Sequence, residues 1–244
     1  MPELWEDCGM GKRTLNRKLK VILEPAYLPC AGADKGHGCH GKVTIDAKVG
    51  HLPRGFFGAT GTIEDVELVL VVAEPGDPSE GGKLDATKEL DETYKITTDA
   101  FDLANETHRT GKFHKNVRHI LDLCFPNTKF EDQLKKVWFT ESVLCSAEVT
   151  THPIDRAAED ECGERYLRAQ LDLFPHAVIA ALGNKASERI ARLKLKDSAG
   201  DDRVVIKAYA AAPPGCNHKP AEPSWQKVAA AVQKNGIAPS IVIA

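Results

Sequence analysis

The chain has 244 residues, 42% of them hydrophobic and 27% charged, with a formal net charge of −3. That is an ordinary globular composition with room for one large α/β domain, and its overall charge does not announce a nucleic-acid binder. No apolar run reaches the roughly 18–20 residues needed to cross a bilayer, and no apolar signal core follows Met1, so a cytoplasmic protein that spans no membrane is expected.

Local charge says more than the total. Residues 12–20, KRTLNRKLK, hold five basic residues and no acid. Residues 107–119, THRTGKFHKNVRH, hold four Lys or Arg and three His, again with no acid. Each stretch suits phosphate contacts, and each also reads as a plain solvated helix face. The seven cysteines are an odd set, better read as reduced thiols or metal ligands than as a disulfide framework.

In chain order, residues 26–62 are rich in Gly and His and read as loop. A buried strand follows at about 67–73, ELVLVVA, and residues 76–98 read as irregular and acidic. A basic amphipathic helix is predicted over 112–124, then a strand over 136–145 and a helix over 156–172. A third strand, AVIAAL at 177–182, opens through Gly183 into another helix. A fourth, RVVIKAYA at 203–210, runs into a Pro-rich loop and a last helix near 224–234. Continuous apolar strands alternating with helices predict a three-layer α/β/α fold on a mainly parallel sheet of about four strands. One domain is expected over 1–244, with a loop-rich N-terminal part to about residue 62 and an insertion at about 81–108. In such folds ligands bind at the carboxyl ends of the strands. Four segments therefore converge on one rim: 74–82, 140–146, 183–186 and 211–220. Glu74, just past the first buried strand, is placed for function.

Several of these segments resemble the uracil-DNA glycosylase superfamily. VVAEPGDPSE looks like its first motif, in which a strand ends in a short polar turn beside a Pro. TESVLC, the later Cys162 and YLRAQLDLFPHAVIAALGNKA are similar to its iron–sulfur-bearing branches. RTGKF at 109–113 resembles the Gly-rich stretch that carries a base-stacking aromatic residue. The likeness spans about 66–235 and is most specific over 140–186. It departs at the second motif, where a His-Pro-Ser is expected and the chain reads Ala212-Pro213-Pro214-Gly215-Cys216-Asn217-His218. It departs again where the family often reads the base with an Asn and this chain has Glu141-Ser142.

The resemblance implies hydrolysis of the N-glycosidic bond of uracil in DNA; a monomer without an obligate protein partner is expected. That cleavage passes through an oxocarbenium-like sugar and a departing uracil anion. A carboxylate serves it by orienting water and by facing the positive charge. Glu74 is the first candidate, with Asp77 and Glu80 behind it, although a loop carboxylate is also a plain surface residue. Asn217 or His218 would donate to the leaving base. Phe113 would stack on the flipped base, or else cap the helix core. Glu141 and Ser142 would meet the base edge, and Lys112, Lys115, Arg118 and Lys185 the phosphates. Cys30, Cys39, Cys145 and Cys162 suggest a [4Fe–4S] cluster, the last pair carried by the resemblance. A zinc site with His37 or His40 replacing a Cys is the competing reading. Cys124, on an apolar helix face, reads as core. A catalytically silent nucleic-acid binder on the same fold is the rival function, and a glycosylase for another deaminated base, such as hypoxanthine, is the third.

Overall fold

A computed structural model describes residues 13–28, 53–76, 89–103, 111–145 and 154–236. The candidates Cys30, Cys39, Asp77, Glu80, His37 and His40 lie outside the described residues. The sheet has five strands: β1 (Phe57–Gly58), β2 (Leu68–Val72), β3 (Val137–Glu141), β4 (Val178–Leu182) and β5 (Val205–Ala208). Their order is β1-β3-β2-β4-β5. β2, β3, β4 and β5 are parallel, as the apolar runs predict, and β1 adds a short antiparallel edge against β3. Two residues flanked by Phe56 carry too little alternation for β1 to be read from sequence.

β2 is the central strand because every residue of LVLVV is buried and apolar, so it tolerates a covered sheet face on both sides. Leu68 pairs with Val137 on one side and Val178 on the other. Among the described residues eight α-helices surround the sheet: α1 (Arg17–Leu23), α2 (Leu90–Asp102), α3 (Lys112–Cys124), α4 (Phe130–Lys136), α5 (Arg156–Cys162), α6 (Arg168–Asp172), α7 (Asn184–Leu193) and α8 (Ala221–Gly236). Val69, Val71, Trp138, Ile179 and Ala181 form one core with residues of α1, α5, α6 and α7. Leu68, Leu70, Val72, Phe139 and Leu182 form the other with residues of α3, α4 and α8. Burial of each such side chain contributes about 1.5–3 kcal/mol, so the two layers are what hold the sheet in place between them. No described helix is long and apolar enough to cross a membrane.

The expected helix over 156–172 is continuous but irregular, because Gly163–Leu167 between α5 and α6 is a π-helical turn. Gly163 lets α7 approach closely; a Cβ there would stand 3.3 Å from Leu193 Cδ2. Gln170 ties the segment to the sheet: its Oε1 accepts from Trp138 Nε1 at 3.0 Å and Thr140 Oγ1 at 2.7 Å.

α2 corrects the expectation of an irregular acidic stretch over 76–98 for residues 90–98, while 77–88 lie outside the described residues. Its buried stripe is Leu90, Thr93, Tyr94, Thr98 and Phe101, and the two threonines dilute the apolar period. Thr98 Oγ1 donates back to the Tyr94 carbonyl at 2.8 Å, and Tyr94 donates to the Gly58 carbonyl at 2.7 Å, which docks α2 against β1. Two cations of the basic stretch at 12–20, Arg13 and Lys20, are spent on this packing. Arg13 pairs with Asp99 at 2.9 Å and also with Asp102 and Glu131, and Lys20 pairs with Asp91 at 2.5 Å.

Candidate functional site

Order β3-β2-β4-β5 makes the chain wind one way from β2 to β3 and the other way through β4 to β5. The topological switch point is therefore between β2 and β4, and the crevice for a ligand lies at their carboxyl ends. Glu74 follows β2 at that point, and Lys185 lies in the first turn of α7, just after β4. The two meet: Lys185 Nζ donates to Glu74 Oε1 at 2.5 Å. Arg189, one turn further along α7, donates to Glu74 Oε2 at 2.6 Å and to the Ala73 carbonyl at 2.8 Å.

The two cations differ in kind. The Lys185 side chain is 65% exposed, while that of Arg189 is 3% exposed and also pairs with Glu159 at 2.7 Å. Glu159 in turn holds Arg192 at 2.6 Å, and Arg192 holds Asp160 at 2.5 Å. Burial pushes the Glu74 carboxyl up, but Arg189 and Lys185 together more than offset it, so Glu74 is held below the usual carboxylate range. It is an ionised carboxylate at neutral pH, with one fixed partner and one solvent-facing partner.

The strand mouth around it is rigid. Pairing of β2 with β3 continues past both strands through Ser142 N to the Val72 carbonyl at 2.8 Å and Val143 N to the Ala73 carbonyl at 3.1 Å. Ser142 Oγ donates to the Ala73 carbonyl at 2.6 Å and accepts from Arg189 at 3.0 Å. Its hydroxyl therefore braces the mouth rather than facing a base, which corrects the expectation for Ser142. Glu141 beside it is buried, and its Oε2 has no hydrogen-bond partner.

The other expected groups gather on the rim above β5. Asn217 Oδ1 accepts from Lys112 Nζ at 3.2 Å, and Asn116 donates to the Ala211 carbonyl at 2.7 Å, so the start of α3 docks on the Pro-rich loop. His218 is exposed and lies 5.7 Å from the Tyr209 ring. A cleft of about 520 Å³ runs from Gly183 and Asn184 past Lys207, Tyr209 and Lys227 to His218. It joins this rim to the Lys185 end of α7. Phe113 is half-buried, edge-on to Phe139 at 6.2 Å and Phe101 at 5.9 Å, so its ring is largely core.

Lys112 and Lys115 are exposed on α3, but Arg118 is not. It is 9% exposed, donates to the Phe101 carbonyl at 3.1 Å, and lies 3.8 Å over the Phe130 ring. Arg118 is a buried clamp between α2 and α4, which corrects its expected phosphate role. The missed residue of greatest consequence is Arg189. Its signal is a cation set on the buried stripe Ala186, Ile190 and Leu193 of an amphipathic helix.

Cys145 and Cys162 are both buried in the same apolar core. Among the described residues no group of three or more His, Cys, Asp or Glu is disposed to hold a metal ion. Cys30 and Cys39 lie outside the described residues, but the described residues on either side of 29–52 are joined to each other and to the residue before Cys145. Tyr27 OH donates to the Pro53 carbonyl at 2.8 Å, and Arg54 N donates to the Leu144 carbonyl at 3.1 Å. Set against known families and curated proteins, the chain matches no family model and no curated sequence, so the assignment of this site rests on its own residues and their geometry.

Proposed function

We propose that this protein is a monofunctional DNA glycosylase that hydrolyses the N-glycosidic bond of uracil in DNA, acting as a cytoplasmic monomer. The observation that carries the reading is an ionised carboxylate, Glu74, at the sheet's switch point with one firm cation and one exposed cation. Arg189 fixes the carboxylate. Lys185 is the partner a DNA phosphate competes for, and its departure frees Oε1 to accept a hydrogen bond from water. A carboxylate so placed orients that water and stabilises the positive charge that develops on the sugar. Asn217 or His218 donates to the departing base, and Lys112 and Lys115 meet the flanking phosphates.

Cys145 and Cys162, with Cys30 and Cys39 of the N-terminal part, would hold a [4Fe–4S] cluster, and zinc is the alternative occupant. When bound, such a group supplies a structural cross-link. Cys145 lies just past β3 and Cys162 ends α5, and both are buried in the same core. A second reading, a DNA binder without catalysis, is favoured by the double ion pair on Glu74 and by Ala212 in place of a histidine.

The test is a uracil-containing oligonucleotide incubated with the protein, then treated with alkali and resolved on a denaturing gel. Alkali-dependent breakage at the uracil supports the glycosylase. A gel shift without breakage supports the binder. Breakage only at hypoxanthine moves the activity to that base.

A further inference from the structure

Arg189 holds Glu74, and Glu159 holds Arg189. The guanidinium divides its two terminal nitrogens between them. Nη1 donates to Glu74 Oε2 at 2.6 Å, to the Ala73 carbonyl at 2.8 Å and to the Ser142 hydroxyl at 3.0 Å. Nη2 faces away from the strand mouth and donates to Glu159 Oε1 at 2.7 Å. Nε is buried without a partner, so it is Glu159 that draws the guanidinium toward α5.

Glu159 is itself fixed. Asp155 caps α5, its side chain accepting from Ala157 N at 3.0 Å, and Ala158 and Cys162 bury the helix in the core that α7 shares. The second oxygen of Glu159 is taken by Arg192, three residues after Arg189 on the same helix, at 2.6 Å. Both of its oxygens are therefore committed to α7.

The contact this produces between Arg189 and Glu74 is not the one these groups favour alone. A guanidinium and a carboxylate are both planar forks, and they prefer two parallel N–H···O bonds. Nη1 is already on Glu74 Oε2. A turn about that contact would carry Nη2 onto Oε1, the atom to which Lys185 Nζ now donates at 2.5 Å. Glu159 blocks the turn by keeping Nη2 for itself. It also shares the Arg189 charge, so Glu74 is not fully neutralised from behind.

We propose that Glu159 is a positioning residue of this site: it restricts Arg189 to one oxygen of Glu74 and so reserves Oε1 for the exchangeable partner Lys185 and, in turnover, for water. It acts only through Arg189. The role in turnover rests on the glycosidic reading above and deepens it, while the restriction on Arg189 is tested apart from it.

The experiment compares the parent, Glu159→Leu and Glu159→Gln by two readouts. Leu removes the acceptor, yet leaves Arg189 with Glu74 and Arg192 with Asp160, so no buried charge is stranded. Gln keeps an acceptor oxygen for Nη2. The first readout is acetylation of Lys185 by acetic anhydride, followed by mass spectrometry, with the exposed Lys95 of α2 as internal reference. An amine occupied by a carboxylate is acylated more slowly than a free one. In Glu159→Leu, Arg189 takes Oε1, and Lys185 should be labelled several-fold faster than in the parent. The second readout is single-turnover base release from a uracil oligonucleotide at saturating protein, with DNA affinity measured alongside. Release by Glu159→Leu should fall by up to about 10²-fold, the scale of a displaced catalytic geometry, with affinity retained. Glu159→Gln should stay close to the parent in both. Parent-like labelling of Lys185 in Glu159→Leu, parent-like release by that variant in an active enzyme, or a Glu159→Gln as impaired as Glu159→Leu overturns the proposal while the glycosylase reading stands. If the parent releases no base, that reading fails, and the labelling alone decides: faster Lys185 acetylation in Glu159→Leu but not in Glu159→Gln upholds the restriction on Arg189, and equal labelling overturns it.

Discussion

Replacing Arg189 with Met exposes how the strand mouth is held. The guanidinium is 3% exposed and serves Glu74, Glu159, the Ala73 carbonyl and Ser142. Removing one partner of a buried ion pair costs about 3–5 kcal/mol when the remaining charge is stranded. Here Glu74 keeps Lys185 and Glu159 keeps Arg192, and Met restores most of the packing. The expected loss is therefore about 2–3 kcal/mol at pH 7, or roughly 4–12 °C in Tm for a chain of this size. The pH dependence is more telling than the size. In the parent, Glu74 is held below its ordinary range, so its stabilisation is present above the unfolded pKa of about 4.3 and lost as pH falls through the folded value. Without Arg189, burial is opposed by Lys185 alone and that stabilisation shrinks. The gap between parent and variant, read by urea denaturation, should widen from pH 3 to pH 7. A gap independent of pH would refute the assigned linkage, and no loss at all would refute the ion pair.

Other substitutions separate roles that the basic stretch at 107–119 blends together. Lys112 and Lys115 changed together to Met should flatten the salt dependence of DNA binding, by about 0.9 in log–log slope for each lost phosphate contact, with little change in stability. Arg118→Met should do the reverse, lowering Tm through the lost α2 carbonyl bonds and the Phe130 contact while leaving the slope alone. Cys145→Ser or Cys162→Ser should lower bound iron and soluble yield together. Metal analysis of the purified parent should find about four iron atoms, and one zinc with no iron would assign the site to zinc.

The layered architecture was legible because a parallel sheet writes itself as continuous apolar runs. LVLVV and VIAAL could be read as buried strands, and Lys112–Cys124 carries a helical period sharp enough to give both of its ends. α2 was not legible because Thr93 and Thr98 occupy its buried stripe and hide it from a hydrophobicity count. β1 was not legible because its two residues are placed by pairing with β3 rather than by any local pattern. At the site, Glu74 and Lys185 were visible from where strands end. Their pairing was not, since it depends on β4 lying beside β2 across more than a hundred residues of chain. Arg118 shows the converse error. Sequence saw a cation among cations, and only the fold showed Phe130 and two carbonyls waiting for it.

The role of Glu74 is tested most directly by single-turnover uracil release from DNA by the parent and by Glu74→Gln, with DNA affinity measured on the same samples. The amide keeps the shape and one acceptor but loses the charge that faces the sugar. Release should fall by about 10²–10⁴-fold while DNA binding is largely retained. Uracil release at the parent rate by Glu74→Gln would contradict the account, and a matching loss in Asp77→Asn alone would move the carboxylate three residues along the chain.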